Sequence, residues 1–215
     1  MEVFLLVTVA WVFSVCLHEF GHALVAYYGG DYTVKEKGYL TLNPFHYTHP
    51  VYSLVMPLLF LLVGGIGLPG GAVYINDHLL RSRGWRMAVS LAGPLMNVLL
   101  VLLLCVPFWA GIADERFGPA LAFLIQLQLS AILFNLIPIP PLDGFQAISP
   151  WLPGEFTERM LVNSSMFMWA LILVLWYVPG ANESFWSIVN GMLGWLGISG
   201  AQAHNGFLEY RFWDR

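Results

Sequence analysis

His18-Glu19-Phe20-Gly21-His22 is the stretch of this chain whose residue types and spacing could do chemistry. Two histidines four residues apart stand one above the other on one face of a helix. Both imidazoles can then reach one metal ion. The glutamate beside the first histidine stands next to the metal's open position, where it can act as a general base toward water. The competing explanation is a chance match on an ordinary helix. The surroundings weigh against it, because ionisable side chains inside a membrane helix are costly and three in one turn need a ligand to hold them. A catalytic zinc site takes three protein ligands and keeps one position open, so the pair predicts a third ligand elsewhere.

The elements that must position this motif are apolar throughout. Of 215 residues, 58% are hydrophobic and only 10% are charged, with mean hydropathy +0.70, whereas a soluble domain carries ~25% charged residues. Such a chain cannot cover a water-facing surface, so its solvent is a lipid bilayer and its class is an all-α polytopic membrane protein. The net charge of −4 comes from scattered residues, and no basic patch marks a nucleic-acid surface. Cys16 and Cys105 lie in apolar runs without C-x-x-C spacing, which predicts packed free thiols.

A membrane helix needs ~20 residues, and residues 3–28 supply the first. They lack a basic n-region and a small-residue cleavage site before the motif, so they read as a retained span, not a signal peptide. Further spans are expected at 85–111, 119–137, 160–178 and 185–198, about five crossings in all. Residues 51–68 are apolar but broken by Pro57, Gly64, Gly65 and Gly67. The whole chain, 1–215, reads as one integral membrane domain, with a core at 3–147, C-terminal helices at 160–200 and an interfacial tail at 201–215.

Asp143 is the outstanding candidate for the third ligand. It follows Asn135-Leu136-Ile137-Pro138-Ile139-Pro140-Pro141-Leu142 and precedes Gly144. Three prolines among residues 138–141 cannot continue a helix, so the 119–137 span unwinds and presents Asp143 from irregular backbone. Alone, P-P-L-D-G would be ordinary turn chemistry with a capping aspartate. Beside an upstream H-E-F-G-H, a metal ligand is the better reading, since irregular backbone at membrane depth belongs where it lines a cavity.

H-E-F-G-H in an apolar helix, followed by F-N-L-I-P-I-P-P-L-D-G, resembles the site-2 protease family of intramembrane zinc metalloproteases. Leu91 to Asn97, L-A-G-P-L-M-N, is similar to a further motif of that family. The resemblance covers residues 3–147 and implies regulated intramembrane proteolysis: one catalytic zinc held by His18, His22 and Asp143, with Glu19 activating water. It implies that Asn135 helps hold substrate or the developing oxyanion, and it matches Asn97 to another polar position. The substrate class it implies is a membrane-anchored protein or peptide, such as an anti-sigma factor, a pro-sigma factor or a signal-peptide remnant. One departure is Phe145, where family members often carry a second glycine.

Topology follows from the chemistry. His18 and His22 lie toward the C-terminal end of the first span, and Asp143 lies past the C-terminal end of 119–137. The two spans must therefore run parallel, which requires an even number of reversals between them. Residues 85–111 supply one crossing, so residues 51–75 are expected to re-enter on their own side, with a short strand at 70–75. An edge strand there would accept an unwound substrate by β-augmentation. In this arrangement Lys35, Lys37, Arg81, Arg83, Arg86, Arg159, Arg211 and Arg215 share one side against Arg116. The positive-inside rule then puts the N-terminus outside and the site toward the cytoplasmic side of a bacterial plasma membrane. His46 and His49 are candidates for the polar route to the site, whereas loop histidines are more often interfacial. His78 and His204 read as surface residues, and the nine tryptophans as interface anchors.

Two other classes compete. A metal transporter would carry further acids or histidines along a transmembrane path, and residues 160–198 hold only Glu183. A catalytically inactive scaffold would have lost the glutamate or a ligand, and all four residues are present.

Overall fold

The computed structural model describes residues 1–43 and 73–214. The expected re-entrant segment lies almost wholly outside the described residues, as do His46 and His49. The described residues are helical and contain no strand. Of the expected strand at 70–75, residues 73–75 carry neither helix nor ladder pairing, and the rest lies outside.

Among the described residues, three single helices are long and apolar enough to cross a membrane: α1 (Glu2–Gly29), α3 (Arg83–Trp109) and α4 (Gly118–Asn135). Among the described residues between α1 and α3 are one turn of α-helix, α2 (Thr33–Glu36), and a 3-10 turn at Asp77–Leu79. After α4 come the short α5 (Asp143–Ile148), then α6 (Gly154–Val162), α7 (Ser164–Tyr177), α8 (Pro179–Trp195) and α9 (Gly200–Tyr210). The span expected at 160–178 is not one straight helix, because α6 and α7 meet at a 66° bend. Asn163 makes that corner with φ −97° and ψ 15°, and its Nδ2 donates to the Arg159 carbonyl at 2.7 Å.

Gly30, at φ +120°, ends α1 in a conformation that favours glycine. The Asp31 N–H then donates back to the Ala26 carbonyl at 3.0 Å, so the chain leaves the helix folded against its last turn.

The apolar helices pack by small residues. Lipid tails are as apolar as leucine, so helix association in a bilayer relies on close van der Waals contact. Gly21 of α1 is such a point: a Cβ there would lie 2.9 Å from the Ala92 carbonyl oxygen of α3. Val7, Trp11 and Val15 of α1 share a core cluster with Ala120, Phe123, Leu127 and Ala131 of α4.

Two contacts fix the relative direction of α1 and α4. At one end Arg116 Nη2 pairs with Glu2 Oε2 at 2.6 Å; at the other His18 meets Asp143, beyond the last turn of α4. The two spans are parallel, as the chemistry requires. The charge count needs correction. Tyr210 stacks on Phe4 with ring centroids 5.2 Å apart, which places Arg211 beside the start of α1. Arg211 thus joins Arg116 at the end away from the histidines, and the eight-to-one split does not hold. The polar-aromatic tail gave no hint of this, because the partners that draw it in, Phe4, Pro119 and Phe123, are remote in sequence.

Candidate metal centre

His18 and His22 sit on the fifth and sixth turns of α1, and both rings are buried, at 5% exposure for His18 and 6% for His22. Their Nε2 atoms converge to 3.0 Å. The Nδ1 of His22 lies 2.7 Å from the Val89 carbonyl oxygen on α3. A carbonyl only accepts, so Nδ1 carries the proton and Nε2 is left with its lone pair toward the site. This is how an outer partner fixes the tautomer of a metal-ligating histidine.

Asp143 arrives from the other side of the fold. Leu136 to Leu142 unwinds, as its prolines dictate, and Asp143 opens α5. Gly144 lets α5 turn back tightly, since any Cβ there would overlap the Leu136 carbonyl. The adjacent Phe145 is buried at 1% exposure, so the larger residue at this position packs into the core. Asp143 Oδ2 then lies 3.2 Å from His18 Nε2, and Oδ1 lies 3.5 Å from His22 Nε2. Oδ2 is buried and makes no hydrogen bond despite that short distance.

These three residues form a group whose ligand atoms all lie within 4.8 Å of one another. Bonds of ~2.0–2.1 Å at tetrahedral angles put neighbouring zinc ligands about 3.3 Å apart. The two Nε2 atoms lie 3.0 Å apart, and each has a different Asp143 oxygen nearby, Oδ2 at 3.2 Å from His18 and Oδ1 at 3.5 Å from His22, which is the same scale. The donor set also fits. A directed imidazole lone pair, a second imidazole nitrogen and an orphaned carboxylate oxygen point at one spot, and a cation there satisfies all three.

Gly93 keeps the spot open. A Cβ at this position of α3 would overlap both His22 Nε2 and His18 Nε2. The sequence carried Gly93 within L-A-G-P-L-M-N, but its role was not legible there. The signal was the need for a side-chain-free surface opposite two histidines on a closely packed helix. Pro94 follows it and has no N–H, so the Ser90 carbonyl loses its helical donor beside the site.

Glu19 is buried at 5% exposure, and its Oε2 accepts the Val73 N–H at 3.1 Å. Sequence reasoning missed this partner, since nothing in Val73's side chain marks its backbone. Asn135 is the last residue of α4 and 3% exposed. Asn97 stands one helical turn from Gly93, is 4% exposed, and its Oδ1 is buried without a hydrogen bond. His78 and His204 are exposed. Both cysteines are buried and stand outside any disulfide.

Apolar membrane-length helices that bring two histidines and an adjacent glutamate to an aspartate define a helical membrane protein with a candidate metal centre of the hydrolase type. The chain is similar to Rip2 of Mycolicibacterium smegmatis, 43% identical over 99% of this chain and 82% of the relative. It is 41% identical to Rip2 of Mycobacterium tuberculosis H37Rv over the same shares of the two chains. It is 30% identical to YwhC of Bacillus subtilis over 83% of each. All three bear the name "Putative zinc metalloprotease". No protein-family model matches the chain, and no solved structure does. The chain belongs to the site-2 protease family of zinc metalloproteases. It is an integral membrane metalloprotease whose cofactor is zinc.

Proposed function

We propose that this chain hydrolyses a peptide bond within or next to a transmembrane segment of a membrane-anchored substrate. The observation that carries the reading is the convergence of His18, His22 and Asp143 beside Glu19, on apolar helices. His18, His22 and Asp143 hold the metal. When bound, zinc supplies Lewis acidity and lowers the pKa of water toward neutrality. Glu19 takes the proton of the attacking water while its Oε2 stays on the Val73 N–H. The water oxygen bonds to the peptide carbon, the C–N bond breaks, and Glu19 returns the proton to the leaving amine. Asn135 and Asn97 are the amides that hold the substrate or its developing oxyanion.

A helical substrate hides its peptide bonds in i to i−4 hydrogen bonds, so it must unwind to reach this site. Residues 51–75 are the segment we assign to receiving it. Candidate substrates are an anti-sigma factor, a pro-sigma factor or a signal-peptide remnant in a bacterial plasma membrane. With Arg211 moved, Lys35, Lys37, Arg81, Arg83 and Arg86 still flank the histidine end, against Arg116 and Arg211 at the other. That bias supports a site toward the cytoplasm. With α6–α7 and α8 counted as crossings, the bundle reaches about five.

The test compares purified wild type with Glu19→Gln for bound zinc and for cleavage of a model transmembrane substrate. Equal cleavage by the two proteins overturns the mechanism. Folded wild type that takes up no zinc when zinc is supplied overturns the metal site.

A further inference from the structure

Asp31 is the most completely engaged carboxylate outside the metal centre. It is 0% exposed. Its Oδ1 accepts from the Thr33 N–H at 3.1 Å and the Thr33 hydroxyl at 2.6 Å. Its Oδ2 accepts from the Asn76 N–H at 2.7 Å. The first two bonds hold the turn after α1. The third does something different, because it reaches across to a segment 45 residues away in sequence.

That segment leads to the catalytic site. Three residues before Asn76, the Val73 N–H donates to Glu19 Oε2. The two anchor points match in scale. Asp31 folds back on Ala26, seven residues beyond Glu19, a rise of about 10 Å along the helix. Three residues of extended chain also span about 10 Å. Residues 73–76 therefore run beside the last turns of α1, pinned at one end by Asp31 and touching Glu19 at the other. A second clamp acts between them: Lys37 Nζ donates to the Tyr74 carbonyl at 3.1 Å and lies 4.7 Å from the centre of its ring. Beyond Asn76 the Arg81 N–H closes the path onto the Gly29 carbonyl at 3.0 Å.

We infer that Asp31 is a positioning residue that holds the Val73 N–H against Glu19, and so sets the orientation of the carboxylate for proton transfer. The inference rests on the proposed role of Glu19, but the pinning of the segment is a property of the fold. Asp31→Asn is the sharp test, because it keeps size and one carbonyl oxygen and puts an amide donor into a ring of donors. Thr33→Val removes one bond to Oδ1 and leaves the Asn76 bond intact. Lys37→Met loosens the same segment from an exposed position that does not endanger folding.

Each variant is purified in detergent and read in three ways: bound zinc, steady-state cleavage of a model transmembrane peptide, and amide hydrogen exchange of peptides covering residues 73–76. In Asp31→Asn, exchange at 73–76 is expected to rise about 10-fold or more. Its kcat is expected to fall by a similar factor, with KM within about 2-fold and zinc unchanged. Lys37→Met shows the same pattern at smaller size, and Thr33→Val leaves kcat near wild type. Asp31→Asn with wild-type exchange at 73–76 overturns the inference, as does raised exchange with unchanged kcat. Loss of zinc in step with kcat also overturns it, since Asp31 then supports the fold alone. If wild type and Glu19→Gln cleave equally, the reading of Glu19 fails instead, and the exchange data still decide whether Asp31 pins the segment.

Discussion

His22 Nδ1 on α1 donates to the Val89 carbonyl on α3 over 2.7 Å. The orientation of a ligand on one helix is thereby set by the backbone of its neighbour. The candidate metal centre is built from interhelical packing as much as from residue identity, and changes that never touch His18, His22 or Asp143 should reach it through that packing.

Gly93→Ala is the most direct case. An alanine usually favours a helix over glycine by ~1 kcal/mol, so propensity alone predicts a stabler protein. The added methyl, however, occupies the space that both Nε2 atoms face. The variant is expected to insert and fold, to bind less than about a tenth of an equivalent of zinc, and to lose cleavage. Gly84→Ala is the control, since a Cβ there meets only Ser82 Oγ at 3.7 Å. Zinc analysis of the two purified variants checks this; full zinc in Gly93→Ala would show that α3 can move aside.

The three residues that converge were legible in the sequence because their chemistry is local. The four-residue spacing of His18 and His22 guarantees a shared helix face, and the prolines before Asp143 guarantee a break in the helix. The three membrane-length helices were legible from unbroken apolar runs. Their meeting at one point followed only from requiring three ligands. What was not legible depends on backbone groups and remote packing. Val89 and Val73 act through a carbonyl and an N–H that every residue possesses. The docking of α9 depends on Gly206 lying against the Pro119 backbone and on Tyr210 reaching Phe4. The bend at Asn163 interrupts a run whose apolar pattern predicts one continuous helix.

Asp143→Ala should separate metal binding from folding. Asp143 is the first residue of α5, just after the unwound segment that follows α4, and its Oδ2 makes no hydrogen bond. Its removal leaves two histidines, and zinc affinity is expected to fall by at least about 100-fold while helix content is unchanged. Competition with a chelator of known affinity measures the loss. Removing zinc from wild type with the same chelator should abolish cleavage reversibly, and cleavage that persists in the metal-free protein would contradict the assignment.

Gly21→Val tests whether close approach of α1 and α3 is required. Its Cβ would press on the Ala92 backbone and Met96 Cγ at 2.9 and 2.7 Å. Met96 can swing away, but a backbone carbonyl cannot, so the helices must separate. Overpacking of this kind costs ~1–3 kcal/mol, and it also draws Val89 away from His22. The expected result is a lower unfolding midpoint in mild detergent together with weakened zinc binding. An unchanged midpoint with full zinc would mean that α3 relaxes locally instead.

Glu19→Gln separates the metal from the proton transfer. Glu19 stands outside the group of three ligand-bearing residues, so zinc should remain at the wild-type level. The glutamine carbonyl can still accept the Val73 N–H, which preserves the local hydrogen bond. What is lost is the ability to take a proton from water and hand it to the leaving amine. General-base catalysis contributes typically ~10²–10⁴-fold, so kcat should fall within that range while substrate binding is retained. The retained hydrogen bond makes this a cleaner variant than Glu19→Ala, which would also leave the Val73 N–H without its partner. A Glu19→Gln protein that keeps zinc, binds substrate and turns over at the wild-type rate would assign the base to another residue.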